Sequence, residues 1–241
     1  MSKIIKAVLT DIEGTSTSIN FVHDVLFEYS RMKLEPYLLH HKDTEQMRRM
    51  IFEILHHPQH CSFNSEFYAD GTQLQIAIGK LKSWIDQDLK ITILKDLQGM
   101  VWEEGYKKKA YTGHLFPEAY KILKQLHEKG LRLYVYSSGS VHAQRLLFKY
   151  SDFGDNTSMF SGFFDTRIGP KRDPKSYKKI YSIVYGPSSR ITDPSELLFI
   201  SDVQEEVDAA LEAGLSALKV NPETGITGAQ INQAGIKFAA L

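Results

Sequence analysis

The chain has 241 residues, 42% apolar and 24% charged, enough for one large domain or for a core carrying an insert. Its 29 acidic and 29 basic residues cancel, so the mean field draws it to neither nucleic acid nor an acidic membrane, although a local positive pocket remains open. A single cysteine, Cys61, excludes an intrachain disulfide and suits a reducing compartment, and no run reaches the roughly 18 apolar residues of a membrane span.

The first predicted element is a strand, "IIKAVLT" (4–10). Lys6 and Asp11 interrupt this apolar stretch, which argues against a signal peptide and for a cytoplasmic protein. The segment from about Asn20 to Ala110 offers amphipathic helical patterns, such as "HDVLFEYSRMKLEPYLLHH" and "DGTQLQIAIGKLKSWIDQDL", and no strand pair. Within it, "HHPQHCSFN" gathers histidines around Cys61. It has no second cysteine and no regular ligand spacing, so it reads as a polar loop in preference to a zinc site.

Beyond the insert, helices and strands alternate. "PEAYKILKQLHEKG" puts Ile122, Leu123 and Leu126 on one face and ends at Gly130, and "RLYVYS" (132–137) follows as a strand. "DPKSYKKIYSIVYG" aligns Tyr177, Ile180, Tyr181 and Val184. "ELLFIS" (196–201) is a strand, "VQEEVDAALEAG" a helix carrying Val207, Ala210 and Leu211 as its apolar face, and "SALKV" (216–220) the last strand. The Gly-rich tail from Asn221 reads as partly loose. The alternation implies right-handed βαβ units in an α/β, doubly wound, mostly parallel sheet, with an all-helical module inserted after the first strand. The domain boundaries are set at 1–17 with 111–241 for the core and 18–110 for the helical cap.

Ligands of such sheets bind beyond the carboxyl ends of the strands. There the sequence places "TDIEGT" with Asp11, Glu13 and Thr15, "YSSGS" with Ser137, Ser138 and Gly139, and "ISDVQEE" with Ser201, Asp202, Glu205 and Glu206. "GPKRDPKSY", with Lys171, Arg172 and Lys175, lies between the last two. Asp11 and Asp202 suit Mg²⁺, which takes one or two carboxylates with phosphate and water. The Ser-Ser-Gly turn offers hydroxyls and N–H groups to phosphate oxygens near the start of a helix, and a lysine adds a compact positive charge. The set reads as phosphoryl transfer. Asp11, ionised at neutral pH, is the nucleophile. Glu13 protonates the leaving oxygen and then activates water. Taken singly, each motif has a plain alternative, since "SSG" and "SD" are also good helix N-caps. The order of all four at successive strand ends is what favours the chemical reading.

These motifs resemble the haloacid-dehalogenase-like phosphotransferases. "DIEGT", "LFEY", "LQGMVWEEGY", "GHLFPEAY", "LYVYSSGSVHAQRLLF", "FFDTRIGPK", "SYKKI" and "LLFISDVQEEVDAALEAG" together resemble the enolase-phosphatase, or acireductone synthase, family. The resemblance runs from Ala7 to about Val220 and is weakest from Lys42 to Leu89. It implies a cytoplasmic monomer with one Mg²⁺ per chain. Such an enzyme enolises 2,3-diketo-5-methylthiopentyl-1-phosphate and then removes the phosphate, giving an acireductone in methionine salvage. It also implies a metal site of Asp11, Glu13 and Asp202, with Ser137, Ser138 and Lys171 on the substrate. Whether the carboxylate or the carbonyl of Glu13 meets the metal stays open. The position after Gly-Pro favours Lys171 over Lys175.

Glu13 is also the candidate enolisation base. The methylthio group calls for an apolar pocket, for which the helical insert is the natural source. Phe21, Phe27, Trp84 and Trp102 are candidates, although each suits ordinary packing better; His23 and His114 could face the site, although a lone histidine near a loop is more often structural. The competing readings are another small-molecule phosphatase or mutase of the same fold, a receiver-like Mg²⁺-binding module, and a dehalogenase.

Overall fold

The computed structural model describes residues 4–59, 62–87, 89–185 and 191–239. The chain divides into two compact units, residues 1–22 with 112–241, and residues 23–111. No helix among the described residues is long and apolar enough to cross a membrane. His60 and Cys61 lie outside the described residues; among those described, no three His, Cys, Asp or Glu side chains cluster as a ready metal cage.

The first unit is built on strands β1 (Ile4–Ile5), β2 (Ala7–Thr10), β3 (Arg132–Tyr136), β4 (Phe160–Phe164), β5 (Leu197–Ser201), β6 (Ser216–Lys219) and β7 (Lys237–Phe238). Five of them form one sheet in the order β4-β3-β2-β5-β6, and every pair is parallel. A parallel sheet needs cover on both faces, which is why β2, β3 and β5 are short apolar runs with almost every residue buried. The helices between them are α5 (Pro117–Glu128), α6 (Val141–Lys149), α7 (Pro174–Val184) and α8 (Gln204–Glu212). The two-residue alternation of strand side chains sends Ala7, Leu9, Tyr134, Tyr136, Leu197 and Phe199 into one core cluster with Tyr177 and Ile180 of α7. From β2 the chain steps outward to β3 and β4, then returns to the other side of β2 for β5 and β6. The reversal leaves a crevice at the carboxyl ends of β2, β3 and β5.

Four readings need correction. "IIKAVLT" is two strands: Lys6 breaks it, with its N–H donated to Glu196 O at 2.9 Å, and β1 pairs with β7 instead of joining the main sheet. The edge strand β4 was missing, because Ser161 and Gly162 spoil its apolar run and its last four residues are not buried. The tail is ordered into α9 (Gly228–Gln233), with a capping box from Thr227 and Gln230, and β7. Leu211 is 51% exposed, whereas Val207 and Ala210 are buried as expected.

The second unit is all-helical, as the sequence implies: a π-helical stretch Phe21–Phe27 leads into α1 (Glu28–His41), α2 (Glu45–His56), α3 (Gly71–Asp86) and α4 (Thr92–Lys107). Leu34, Leu38, Met47, Ile51, Ile54, Leu81 and Leu94 form its core. Thr44 caps α2, and Asp70 with Gln73 makes a capping box on α3. Trp84 packs in this core. Trp102 donates its indole N–H to Leu26 O at 2.7 Å and stacks on Phe27 with ring centroids 6.2 Å apart. Both tryptophans and Phe27 thus have internal packing partners.

Candidate active site

The strand β2 stops at Thr10, and the next residue, Asp11, is 2% exposed. Its backbone carbonyl accepts the hydroxyls of Thr10 (2.8 Å) and Ser16 (2.9 Å). Its Oδ1 accepts the N–H of Ile12 at 2.7 Å. Its Oδ2 meets the ammonium of Lys171 at 2.7 Å and the hydroxyl of Ser201 at 3.3 Å. Lys171 is itself 6% exposed. Tyr177 donates its hydroxyl to the Lys171 carbonyl at 2.6 Å, which fixes the backbone from which the ammonium reaches Asp11. Lys175 is exposed at the first turn of α7, so of the two lysines only Lys171 reaches the strand ends. Arg172 is also exposed, and Asp173 caps α7 by accepting the N–H of Lys175.

The same ammonium lies 2.7 Å from Oε2 of Glu206, an 8% exposed acid in the first turn of α8. Ser201 Oγ also donates to that oxygen at 2.9 Å. One cation is therefore shared by two buried carboxylates. Burial pushes the Lys171 pKa down, but Asp11 and Glu206 outweigh it and the net shift is upward, so the side chain stays charged. The carboxyl of Glu206 is raised by burial first and by the charge of Asp11 second. Sequence reasoning placed Glu206 at this strand end but gave it no part in the site. Its place as an acid in the first turn of the helix that follows the third strand end is the signal that marks it.

Glu13 stands two residues beyond Asp11, and its Oε2 accepts the hydroxyl of Ser137 at 3.3 Å. Burial and then the Asp11 charge hold its carboxyl above the usual range. The Ser137 hydroxyl in turn accepts the N–H of Gly139 at 3.1 Å. The structure thus joins the first acidic motif to the Ser-Ser-Gly turn through side chains. At the head of α6 it is Ser140, not Ser137, that caps the helix, by accepting the N–H of Ala143 at 3.2 Å, and Asp165 takes the N–H of Val141 at 3.2 Å. The amides of Val141 and Ala143 at the head of α6 are thus engaged within the protein, which leaves phosphate to the Ser-Ser-Gly turn itself, as the sequence reading has it.

Asp202 does not cap α8, whose N-cap residue is Val203. Thr15 donates its hydroxyl to Asp202 Oδ1 at 3.5 Å and accepts the Asp202 N–H at 3.2 Å. Gly14 makes this approach possible. Its φ of +68° lies in the left-handed region, and a Cβ there would fall 2.5 Å from Asp202 Oδ2. Asp202 is raised by burial and then by the charge of Asp11, so the two carboxylates feel each other across the crevice. Hard oxygen donors from two strand ends, mutually repelling and half-shielded, fit Mg²⁺, which needs only one or two carboxylates beside water and phosphate and no three-residue cage.

His114 is turned to Thr17 and Ser18. The Ser18 N–H donates to its Nδ1 at 3.3 Å and the Thr17 hydroxyl lies 2.9 Å from the same atom. Nδ1 thus serves as the acceptor that holds the backbone after Thr17. His23 is exposed and packs edge-on to Phe27 at 5.3 Å. The structure gives both histidines local structural partners.

A family model described as haloacid dehalogenase-like hydrolase matches residues 5–214, and together with the sheet order it defines the class. An enolase-phosphatase E1 of Sulfurihydrogenibium is 44% identical over 217 residues, 90% of this chain and 88% of that protein. One of Methylococcus capsulatus is 41% identical over 238 residues, 99% of this chain and 98% of the relative. The crystal structure of the UTR4 protein of Saccharomyces cerevisiae matches with a TM-score of 0.71 at 26% identity, over 98% of this chain and 97% of that one. Within the haloacid-dehalogenase-like hydrolases, the chain belongs to the enolase-phosphatase family.

Proposed function

We propose that this protein is a Mg²⁺-dependent, bifunctional enolase-phosphatase of methionine salvage. It converts 2,3-diketo-5-methylthiopentyl-1-phosphate to 1,2-dihydroxy-3-keto-5-methylthiopentene and phosphate. The observation that carries the chemistry is the buried Lys171 ammonium 2.7 Å from Asp11 at the end of the central strand. The substrate follows from kinship with the enolase-phosphatases.

Asp11 attacks phosphorus; an Asp11 O–P bond forms as the ester P–O bond breaks. Glu13, whose raised pKa suits a general acid, gives its proton to the departing oxygen. It then takes a proton from water, whose oxygen attacks phosphorus and frees phosphate and Asp11. Ser137, Ser138 and Lys171 hold the phosphate oxygens. Glu13 is the acid–base group at hand for removing the proton α to the carbonyl. The carboxylates of Asp11 and Asp202 with the backbone carbonyl of Glu13, whose carboxyl is kept for proton transfer, would hold one Mg²⁺, which would supply the positive charge that offsets repulsion between Asp11 and an incoming phosphate. The unit of residues 1–22 and 112–241 is the catalytic core and the helical unit its cap. The zero formal charge and lone cysteine suit a cytoplasmic monomer acting on a small phosphate ester, with no nucleic-acid or membrane partner.

The test follows phosphate release and the absorbance of the conjugated enediol together, with the diketo ester, in the presence and absence of Mg²⁺. Both signals appear only with Mg²⁺ if the reading holds. Phosphate release from simple esters but not from this one would remove the salvage role, and no release from any ester would overturn the enzyme.

A further inference from the structure

We propose that Gln144 is a positioning residue for phosphate binding, its carboxamide setting the shape of the Ser137–Ser138–Gly139 turn. The inference rests on the phosphatase reading above. Gln144 lies in the first turns of α6 and is 2% exposed. Its Nε2 donates to Gly139 O at 2.8 Å and to Phe164 O at 2.9 Å. Both partners are carbonyl oxygens, so the amide nitrogen must face them. Phe164 O, at the end of β4, also accepts the N–H of Ser137 at 3.2 Å. The two ends of the turn therefore hang from one carbonyl, Ser137 directly and Gly139 through the Gln144 amide.

The consequence reaches the Ser137 hydroxyl. Held at this spacing, Gly139 donates its N–H to that oxygen, and the single hydroxyl proton is left to point at Glu13. For stability the amide is a mixed gain, since its nitrogen serves two part-buried carbonyl oxygens while its oxygen serves nothing. Among the described residues, Oε1 of Gln144 is buried and accepts no hydrogen bond, a cost that a methionine of equal length avoids. The engaged amides at the head of α6 add to the argument, because phosphate recognition then depends on the turn keeping its own shape.

The test compares wild type with Gln144→Met and Gln144→Glu. The readouts are the inhibition constant for inorganic phosphate, KM and kcat with the diketo ester, Mg²⁺ affinity without substrate, and the thermal midpoint. Loss of the two donors should raise the phosphate inhibition constant and KM together by about 10- to 100-fold. Mg²⁺ affinity should stay within about twofold, and the midpoint of Gln144→Met should not fall by more than a few degrees. Phosphate inhibition and KM unchanged in a folded variant would overturn the inference. So would a loss of Mg²⁺ affinity and stability in step with phosphate. Gln144→Glu keeps the shape and decides the matter should Gln144→Met not fold. A wild-type protein that binds no phosphate would sink the phosphatase reading as well.

Discussion

At the scale of single residues, the site is a problem in arranging like charges. Asp11, Glu13, Asp202 and Glu206 gather at the strand ends with one buried cation, Lys171, among them. Burial is the leading cause that raises Glu13, Asp202 and Glu206, and the charge of Asp11 adds to it in each case. A folded-state pKa raised above the unfolded value means that the native state holds the proton more tightly. Stability from that group is full below the unfolded value and is lost as pH rises through the folded one. For Glu13 the window opens above its ordinary 4.5. Glu13→Gln, melted without metal from about pH 4 to about pH 8, should therefore gain on wild type as pH rises while losing phosphatase activity. A stability difference that is flat with pH would contradict the burial argument. Glu206→Gln tests the shared ammonium. With one carboxylate gone, Lys171 belongs to Asp11 alone and the nucleophile is more fully neutralised. We expect kcat to fall by about 10- to 100-fold with Mg²⁺ affinity nearly unchanged. An equal fall in Mg²⁺ affinity would assign Glu206 to the metal instead.

At the scale of elements, the strand-to-turn junctions set the chemistry. The turn after β2 places Asp202 against Gly14, where no side chain fits. Gly14→Ala would bring a left-handed strain of about 1–2 kcal/mol and push the Asp202 carboxylate aside. It should raise the Mg²⁺ concentration for half-maximal activity by about tenfold or more; an unchanged value would remove Asp202 from the metal site. The same junctions explain what the sequence made legible. β2, β3 and β5 are buried on both faces, so each must be a continuous apolar run, and each ends in the polar residues that line the crevice. β4 sits at the sheet edge and tolerates Ser161 and Gly162, so its pattern is weak. β7 has two residues, and its pairing with β1 is a contact between the ends of the chain that no local pattern encodes. Among the candidate site residues, Asp11, Glu13, Lys171 and Asp202 stand out in the sequence because chemistry restricts their type. Gln144 was not, because its role is in the backbone carbonyls it reaches.

At the scale of the whole molecule, one all-parallel sheet supplies rigidity where three strands end together, and a helical unit is inserted directly after the strand that carries Asp11. Zero formal charge leaves no long-range field to gather phosphate esters, so recognition falls to the few groups at the strand ends. The proposed reaction requires that Asp11 become phosphorylated. The most direct measurement mixes enzyme, Mg²⁺ and the diketo ester, quenches with acid within one turnover, and maps phosphorylated peptides by mass spectrometry. One phosphoryl group is expected on Asp11, and none on the Asp11→Asn protein. Turnover with no phosphorylated protein, or with the group on another residue, would contradict it.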